Sequence, residues 1–141
     1  LNFELYLNNK PIIVDSGVST YEKGKRRDWE RSTSAHNTVT VQGINSSEVW
    51  SSFRVGNKAR CKVLHESENC ILAEHDGYKT LGIIHRRKFE LVDDVVYFHD
   101  VLIGANFEAY ANFHFFDSKI DKPLDFLGVL QFEWLKFYRL T

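Results

Sequence analysis

Two residues sit where apolar runs begin or end, positions at which a side chain is free to do chemistry. Pro11-Ile12-Ile13-Val14-Asp15-Ser16-Gly17 reads as a buried strand that ends in a carboxylate and then turns. Ala35-His36-Asn37-Thr38-Val39-Thr40-Val41 is the mirror case, an imidazole at the entry to a strand. If the two strands are antiparallel neighbours, the end of one lies beside the start of the other, and Asp15 and His36 share a site. A carboxylate oxygen and an imidazole nitrogen are donors that Zn²⁺ accepts, and a four-coordinate ion needs at least one further protein ligand. The same spacing also suits an Asp that caps a turn and a His hydrogen-bonded to it. Spacing alone leaves both readings open.

The interval from Ser16 to Ala35 carries Gly17, Gly24, the basic cluster Lys23-Gly24-Lys25-Arg26-Arg27, then Asp28-Trp29-Glu30-Arg31 and Ser32-Thr33-Ser34. Structureless connections beyond about 12–15 residues are uncommon in compact domains and tend to be functional. The guanidinium forks of Arg26, Arg27 and Arg31 match carboxylates and sulfates, so the loop could steer or pair with such groups; a solvated basic loop is the other reading. A second long connection, from Ile44 to Asn57, holds Trp50 and Phe53 among serines, where aromatics either pin the loop to the core or form a sugar-stacking platform. His75, Tyr78, His85 and Arg86 make a second polar and aromatic set near a hairpin. A His on a β face is more often a satisfied structural group than a ligand. His65, His99 and His114 have no recognisable context and are assigned no role.

The elements that must position these residues are strands. Apolar and polar residues alternate in Phe3–Leu7, Asn37–Val41, Arg60–Leu64, Arg87–Leu91 and Phe107–Phe113, the period of a half-buried strand. Turn signals separate the runs: Asn8-Asn9-Lys10-Pro11, Gln42-Gly43-Ile44-Asn45, Glu66-Ser67-Glu68-Asn69 and Asp93-Asp94. The tail from Asp117 to Asp125 is polar and turn-like, and Leu127 to Leu140 returns to apolar alternation, expected as a last strand pair. The pattern predicts an all-β chain built from successive hairpins, an antiparallel β-sandwich. At 141 residues it makes one domain with enough surface to bury for a self-sufficient core. With 18 basic against 19 acidic residues, nothing favours a generic grip on nucleic acid or an anionic membrane, so a polyanion site must be local. No apolar run approaches the ~20 residues of a spanning helix. Cys61 and Cys70, nine positions apart in a hairpin, could bridge if the register set them opposite each other. Two small buried thiols are the favoured reading, since one pair is not a disulfide framework. The chain starts at Leu1 and contains no Met, as expected of a piece excised from a longer protein.

Phe3-Glu4-Leu5-Tyr6, then Pro11 to Gly17, then Arg31-Ser32-Thr33-Ser34-Ala35-His36-Asn37-Thr38-Val39 resembles the opening of the heparinase II/III-like domain, also found in related alginate lyases. The resemblance continues through Ser47-Glu48-Val49-Trp50, Phe53-Arg54-Val55-Gly56 and His75-Asp76-Gly77-Tyr78 to His85-Arg86-Arg87, and fades after Asp100. It implies a supersandwich-like C-terminal β domain over residues 1–141, truncated at its N-terminal edge. It implies a metal, usually zinc, held by a His upstream of the first strand, by Asp15 and by His36; the upstream His, with a neighbouring catalytic His, would precede Leu1. It implies β-elimination on an acidic polysaccharide, a glycosaminoglycan or alginate, with a base taking the C5 proton and an acid protonating the departing O4. An N-terminal α-helical toroid supplies much of that machinery in the family. Tyr21 matches a loop tyrosine near the active site, with a surface or packing role as its alternative. The resemblance also implies a periplasmic or secreted location and a chain inactive by itself. Two other readings are kept: a non-catalytic carbohydrate-binding module stacking sugars on Trp29, Trp50 and Trp134, and a structural β domain that buttresses an N-terminal partner.

Overall fold

The computed structural model describes residues 1–104 and 107–116. The expected polar tail from Asp117, the last strand pair from Leu127 and the stacking residue Trp134 lie outside them. The described residues form an all-β sandwich of short antiparallel strands.

One layer is a four-stranded meander. Strands β6 (Cys61–Ser67), β7 (Cys70–Tyr78), β8 (Ile83–Val92) and β9 (Val95–Ile103) pair in sequence order. The β6–β7 and β8–β9 turns are ones the sequence signalled. β7 and β8 are instead joined at residues 79–82, where no turn is expected, and residues 74–78, expected as a hairpin, are the end of β7. Asp93 and Asp94 adopt φ of 49° and 63°, two consecutive left-handed residues that let β8 and β9 pair without splaying, and Asp tolerates that region better than most side chains. Asn8 and Asn9, at 49° and 61°, do the same between β1 (Leu5–Leu7) and β2 (Lys10–Ile13).

The facing layer is assembled from pieces distant in sequence. Strand β3 (Val39–Val41) pairs with β10 (Ala109–Ala111), and the chain beyond β10 bridges β2 through Ile13 and Phe115. Val14 N–H donates to His114 O at 2.9 Å, and Phe116 N–H to Ile12 O at 3.1 Å. The β1–β2 hairpin and the β3–β10 pair are thereby joined, and the end of β2 reaches the start of β3. Between the layers, Val39, Val41, Ala109 and Ala111 pack on Tyr78, Ile83 and Leu102, with Phe107 and Phe113 at the margin. Each fully buried Val, Leu or Ile is worth roughly 1.5–3 kcal/mol. A bulge between His75 and Tyr78 turns the Tyr78 ring into this core, where its hydroxyl donates to Val39 O at 2.7 Å. Gly77 sits in that bulge because a Cβ there would meet Ser46 O at 2.5 Å.

The long Ser16–Ala35 connection is more ordered than its sequence suggested. It holds helix α1 (Lys25–Glu30) and a 3-10 turn (Thr33–Ala35), short elements that no apolar periodicity announces. β4 (Val49–Trp50) and β5 (Arg54–Val55) form a small hairpin beside it. The cysteines are free: Cys61 lies opposite His75 and Cys70 opposite Ser67, at the two ends of the β6–β7 hairpin. The expected burial is corrected for Cys61, which is exposed because β6 is the edge strand of its sheet. No helix among the described residues is long and apolar enough to cross a membrane.

Candidate functional site

The end of β2 and the start of β3 bring Asp15 and His36 into contact. Asp15 Oδ1 lies 2.7 Å from His36 Nδ1 and accepts a second hydrogen bond, also 2.7 Å, from the Asn2 side-chain amide. Asp15 Oδ2 accepts the Gly17 N–H at 3.1 Å, closing a turn for which Gly17 supplies a φ of 64°. Burial raises the Asp15 carboxyl, but the hydrogen bonds from His36, Gly17 and Asn2 outweigh it and hold the group below its ordinary value. His36 follows the 3-10 turn, whose Thr33 carbonyl accepts its N–H at 3.2 Å.

Asn37, fully buried, locks this geometry. Its side-chain amide donates to Phe3 O (2.9 Å) and Val14 O (3.0 Å), and its side-chain oxygen accepts His114 N–H (2.7 Å). Its backbone N–H donates to Asn2 Oδ1 at 2.8 Å. One residue thus ties together the backbones on either side of the Asp–His pair.

His36 lines a cavity of about 250 Å³ together with Leu1, Asn2, Arg31, Thr33 and Ser46. Of the three arginines singled out in the sequence, Arg31 reaches this cavity. Its Nη1 and Nη2 donate to Trp50 O (3.2 Å) and Arg54 O (3.0 Å), fastening the β4–β5 hairpin to the site. Arg26 is turned outward and bonds Ser19 Oγ at 2.5 Å and Glu30 Oε1 at 3.1 Å. Arg27 is buried, its Nε donating to Ser52 O at 3.3 Å and its guanidinium carbon 5.3 Å from the Tyr21 ring and 5.8 Å from Phe53. Tyr21 is exposed and its ring lies parallel to that of Phe53, centroids 6.4 Å apart. Trp29 and Trp50 are partly exposed.

A second polar cluster lies in the sandwich interior. Cross-strand register aligns His75 with His85, and Ala73 with Arg87 and Asp100, all on the inward face. Arg87 and Asp100 pair bidentately, Nε to Oδ1 at 2.6 Å and Nη2 to Oδ2 at 2.7 Å, and neither is exposed. His85 Nε2 lies 2.7 Å from Asp100 Oδ1, and His85 Nδ1 lies 3.0 Å from His75 Nε2. Burial pushes His75 down to about 3, with His85 adding to the effect. Burial also lowers His85 despite the carboxylate of Asp100. For Asp100, burial acts upward, but Arg87 and His85 prevail and hold the carboxyl far below the carboxylate range. The sequence grouping of His75, Tyr78, His85 and Arg86 is corrected here. Arg86 occupies the opposite face of β8, where its Nη2 meets Glu74 Oε2 at 2.8 Å. Asn2, Asn37, Arg87 and Asp100 were missed; Ile83-x-His85-x-Arg87-x-Phe89 carried the signal, since polar residues in phase with apolar ones on a strand point inward.

Among the described residues, no three His, Cys, Asp or Glu side chains gather into a metal-holding group. Asp15 and His36 contribute two donors of the types zinc accepts, so they fit such an ion as part of a ligand set.

The comparisons with known proteins place the chain in a polysaccharide lyase family. The chain belongs to the family described as heparinase II/III-like, C-terminal, whose model matches residues 1–130. It is similar to a heparin-sulfate lyase of Bacteroides stercoris, 29% identical over 118 residues that make up 80% of this chain and 16% of the relative. The chain therefore spans about one-sixth of that protein's length. No solved structure matches it.

Proposed function

We propose that this chain is the β domain of an enzyme that cleaves a uronic-acid-containing polysaccharide by β-elimination, where it organises a metal site and forms one wall of the cleft. The observation that carries the reading is the 2.7 Å contact between Asp15 and His36 at a cavity that Arg31 also lines. Membership of the heparinase II/III-like family and similarity to a heparin-sulfate lyase support it.

In this reading Asp15 and His36 hold Zn²⁺ with a third ligand from a segment preceding Leu1, a residue that lines the same cavity. When bound, the ion supplies positive charge that polarises an oxygen of the site or its substrate. The chain's own residues do the rest of this wall's work. Asn2 and Asn37 orient the ligand pair. Arg31 and Arg26 face the carboxylates or sulfates of the acidic glycan, and Arg27 backs the Tyr21 and Phe53 rings. The Tyr21 phenol moves a proton at the glycosidic oxygen. An N-terminal helical toroid provides the opposite wall and most of the groups that take the C5 proton and stabilise the charge that develops on the carboxylate. The chain alone is inactive, and the parent works in the periplasm or outside the cell, where such polymers are met. The test is to assay the parent on heparan sulfate, alginate and other uronates by the ultraviolet absorbance of the unsaturated product. Product from one of these polymers is expected, and none from any of them overturns the reading.

The exposed rings of Tyr21, Trp50 and Phe53 favour one second reading, a non-catalytic carbohydrate-binding module. It predicts that oligosaccharides change the tryptophan fluorescence of the chain, and an unresponsive spectrum removes it.

A further inference from the structure

Arg87 is more than half of an interior ion pair. With Nε and Nη2 committed to Asp100, its Nη1 donates to two backbone carbonyls, Asn37 O at 2.6 Å and Leu1 O at 2.9 Å. Four of the five guanidinium hydrogens are therefore spent, within a cage of Phe3, Phe89 and Phe113 whose ring centres lie 5.2, 5.9 and 6.0 Å from the guanidinium carbon. The two carbonyls belong to the segments that carry the site. Asn37 follows His36, and Leu1 precedes Asn2, whose amide holds Asp15 and whose oxygen takes Asn37 N–H. The Asn37 side chain then reaches Val14, the neighbour of Asp15.

Asp100 is itself held by a directed chain of donors. The Gly77 N–H, which can only donate, meets His75 Nδ1 at 3.0 Å, so the neutral His75 carries its proton on Nε2. That proton goes to His85 Nδ1, which leaves the His85 proton on Nε2, aimed at Asp100 Oδ1. Every proton in the row points toward the carboxylate that clamps Arg87. The orientation of this guanidinium is set from behind, and its free edge is delivered to the site backbone.

We propose that Arg87, clamped by Asp100, is the positioning residue for the Asp15–His36 pair: it holds the backbones of Leu1 and Asn37 in the register that lets Asp15 meet His36 Nδ1. The proposal rests on the reading of that pair as the functional site. It asks for the planar fork of arginine, because a lysine ammonium preserves the charge opposite Asp100 but cannot bind both carboxylate oxygens and both carbonyls.

The test uses the 141-residue chain with Arg87→Lys and, independently, Asn2→Ala, which cuts the link from the other side without touching the interior cluster. Proton–proton Overhauser contacts of the His36 ring with the side chains of Asp15 and Asn2 report whether the strand ends keep their register. In the unaltered chain the His36 ring is expected against Asp15. Both variants are expected to keep a native amide spectrum and unchanged His75 and His85 ring signals while the His36 ring loses its contact with Asp15. An unchanged His36 ring in Arg87→Lys overturns the proposal. So does a change at His36 that comes only with loss of native signals across the whole sheet, since Arg87 would then merely stabilise the fold. Should Arg87→Lys fail to fold, Asp100→Asn, which releases the guanidinium from its clamp and leaves Asn2 and Asn37 in place, is read instead, and an unchanged His36 ring there is decisive against it. In the parent, the same variants are expected to lower kcat with KM unchanged. The ring spectra involve no polysaccharide, so they judge the positioning role even if the parent cleaves none.

Discussion

His85 Nε2 sits 2.7 Å from Asp100 Oδ1, and both side chains are completely shielded from solvent. An imidazole and a carboxylate at this distance in an apolar interior tie the stability of the sandwich to pH. His75 falls to about 3 in the folded chain, below its ordinary 6.5, and His85 also lies below its ordinary value. The unfolded chain thus binds these protons more readily, and Asp100, with its lowered value, acts in the same direction. Stability is expected to be complete above about pH 6.5 and to decline steadily toward pH 3, by a few kcal/mol, since each tenfold difference in proton affinity is worth about 1.4 kcal/mol. Urea denaturation across that range checks this, and a midpoint that stays level from pH 6.5 to 4 refutes it.

Asp100→Asn leaves Arg87 charged and unpaired inside the sandwich. Breaking a buried pair from one side costs about 3–5 kcal/mol, more than the pair contributes relative to an apolar filling. Chemical denaturation should show a loss of this size, whereas the solvent-facing Glu74→Gln, which disrupts the partly exposed contact with Arg86, should cost less than about 1 kcal/mol.

Asn37→Ala strips three backbone groups of their partner at once: Phe3 O, Val14 O and His114 N. Each buried group left unsatisfied costs about 1–3 kcal/mol. The variant should lose at least about 3 kcal/mol by thermal or urea unfolding; a loss under about 1 kcal/mol would mean that water replaces the amide.

Zinc content provides a check on the ligand pair. The purified parent is expected to carry one zinc per chain by atomic absorption, and Asp15→Ala or His36→Ala to remove it. Retention of the metal in both variants would assign it to other residues.

Tyr21→Phe in the parent separates a proton-transferring phenol from a packing ring. Loss of a positioned acid or base lowers kcat by about 10²–10⁴-fold, while the ring's stacking on Phe53 survives. Unchanged turnover would leave Tyr21 as part of the aromatic surface.

The sequence by itself determined the main strands and the turns at Asn8-Asn9 and Asp93-Asp94, because period-two alternation and turn residues act within a few residues of chain. It did not determine the β4–β5 hairpin or the turn at residues 79–82. It also marked Asp15 and His36, each set at a strand end by its neighbours. Tertiary structure alone decided how Arg26, Arg27 and Arg31 part company, outward, inward and into the cavity, since one short helix and the turn after it face three different surroundings. It decided that Asn2 and Asn37 complete the site and that Arg87 and Asp100 stand behind them. Those contacts join residues 13 to 86 positions apart in the chain, and such distances leave no local pattern to read. Hydrogen bonds of that range form only when the two layers close and every buried polar group must find a partner.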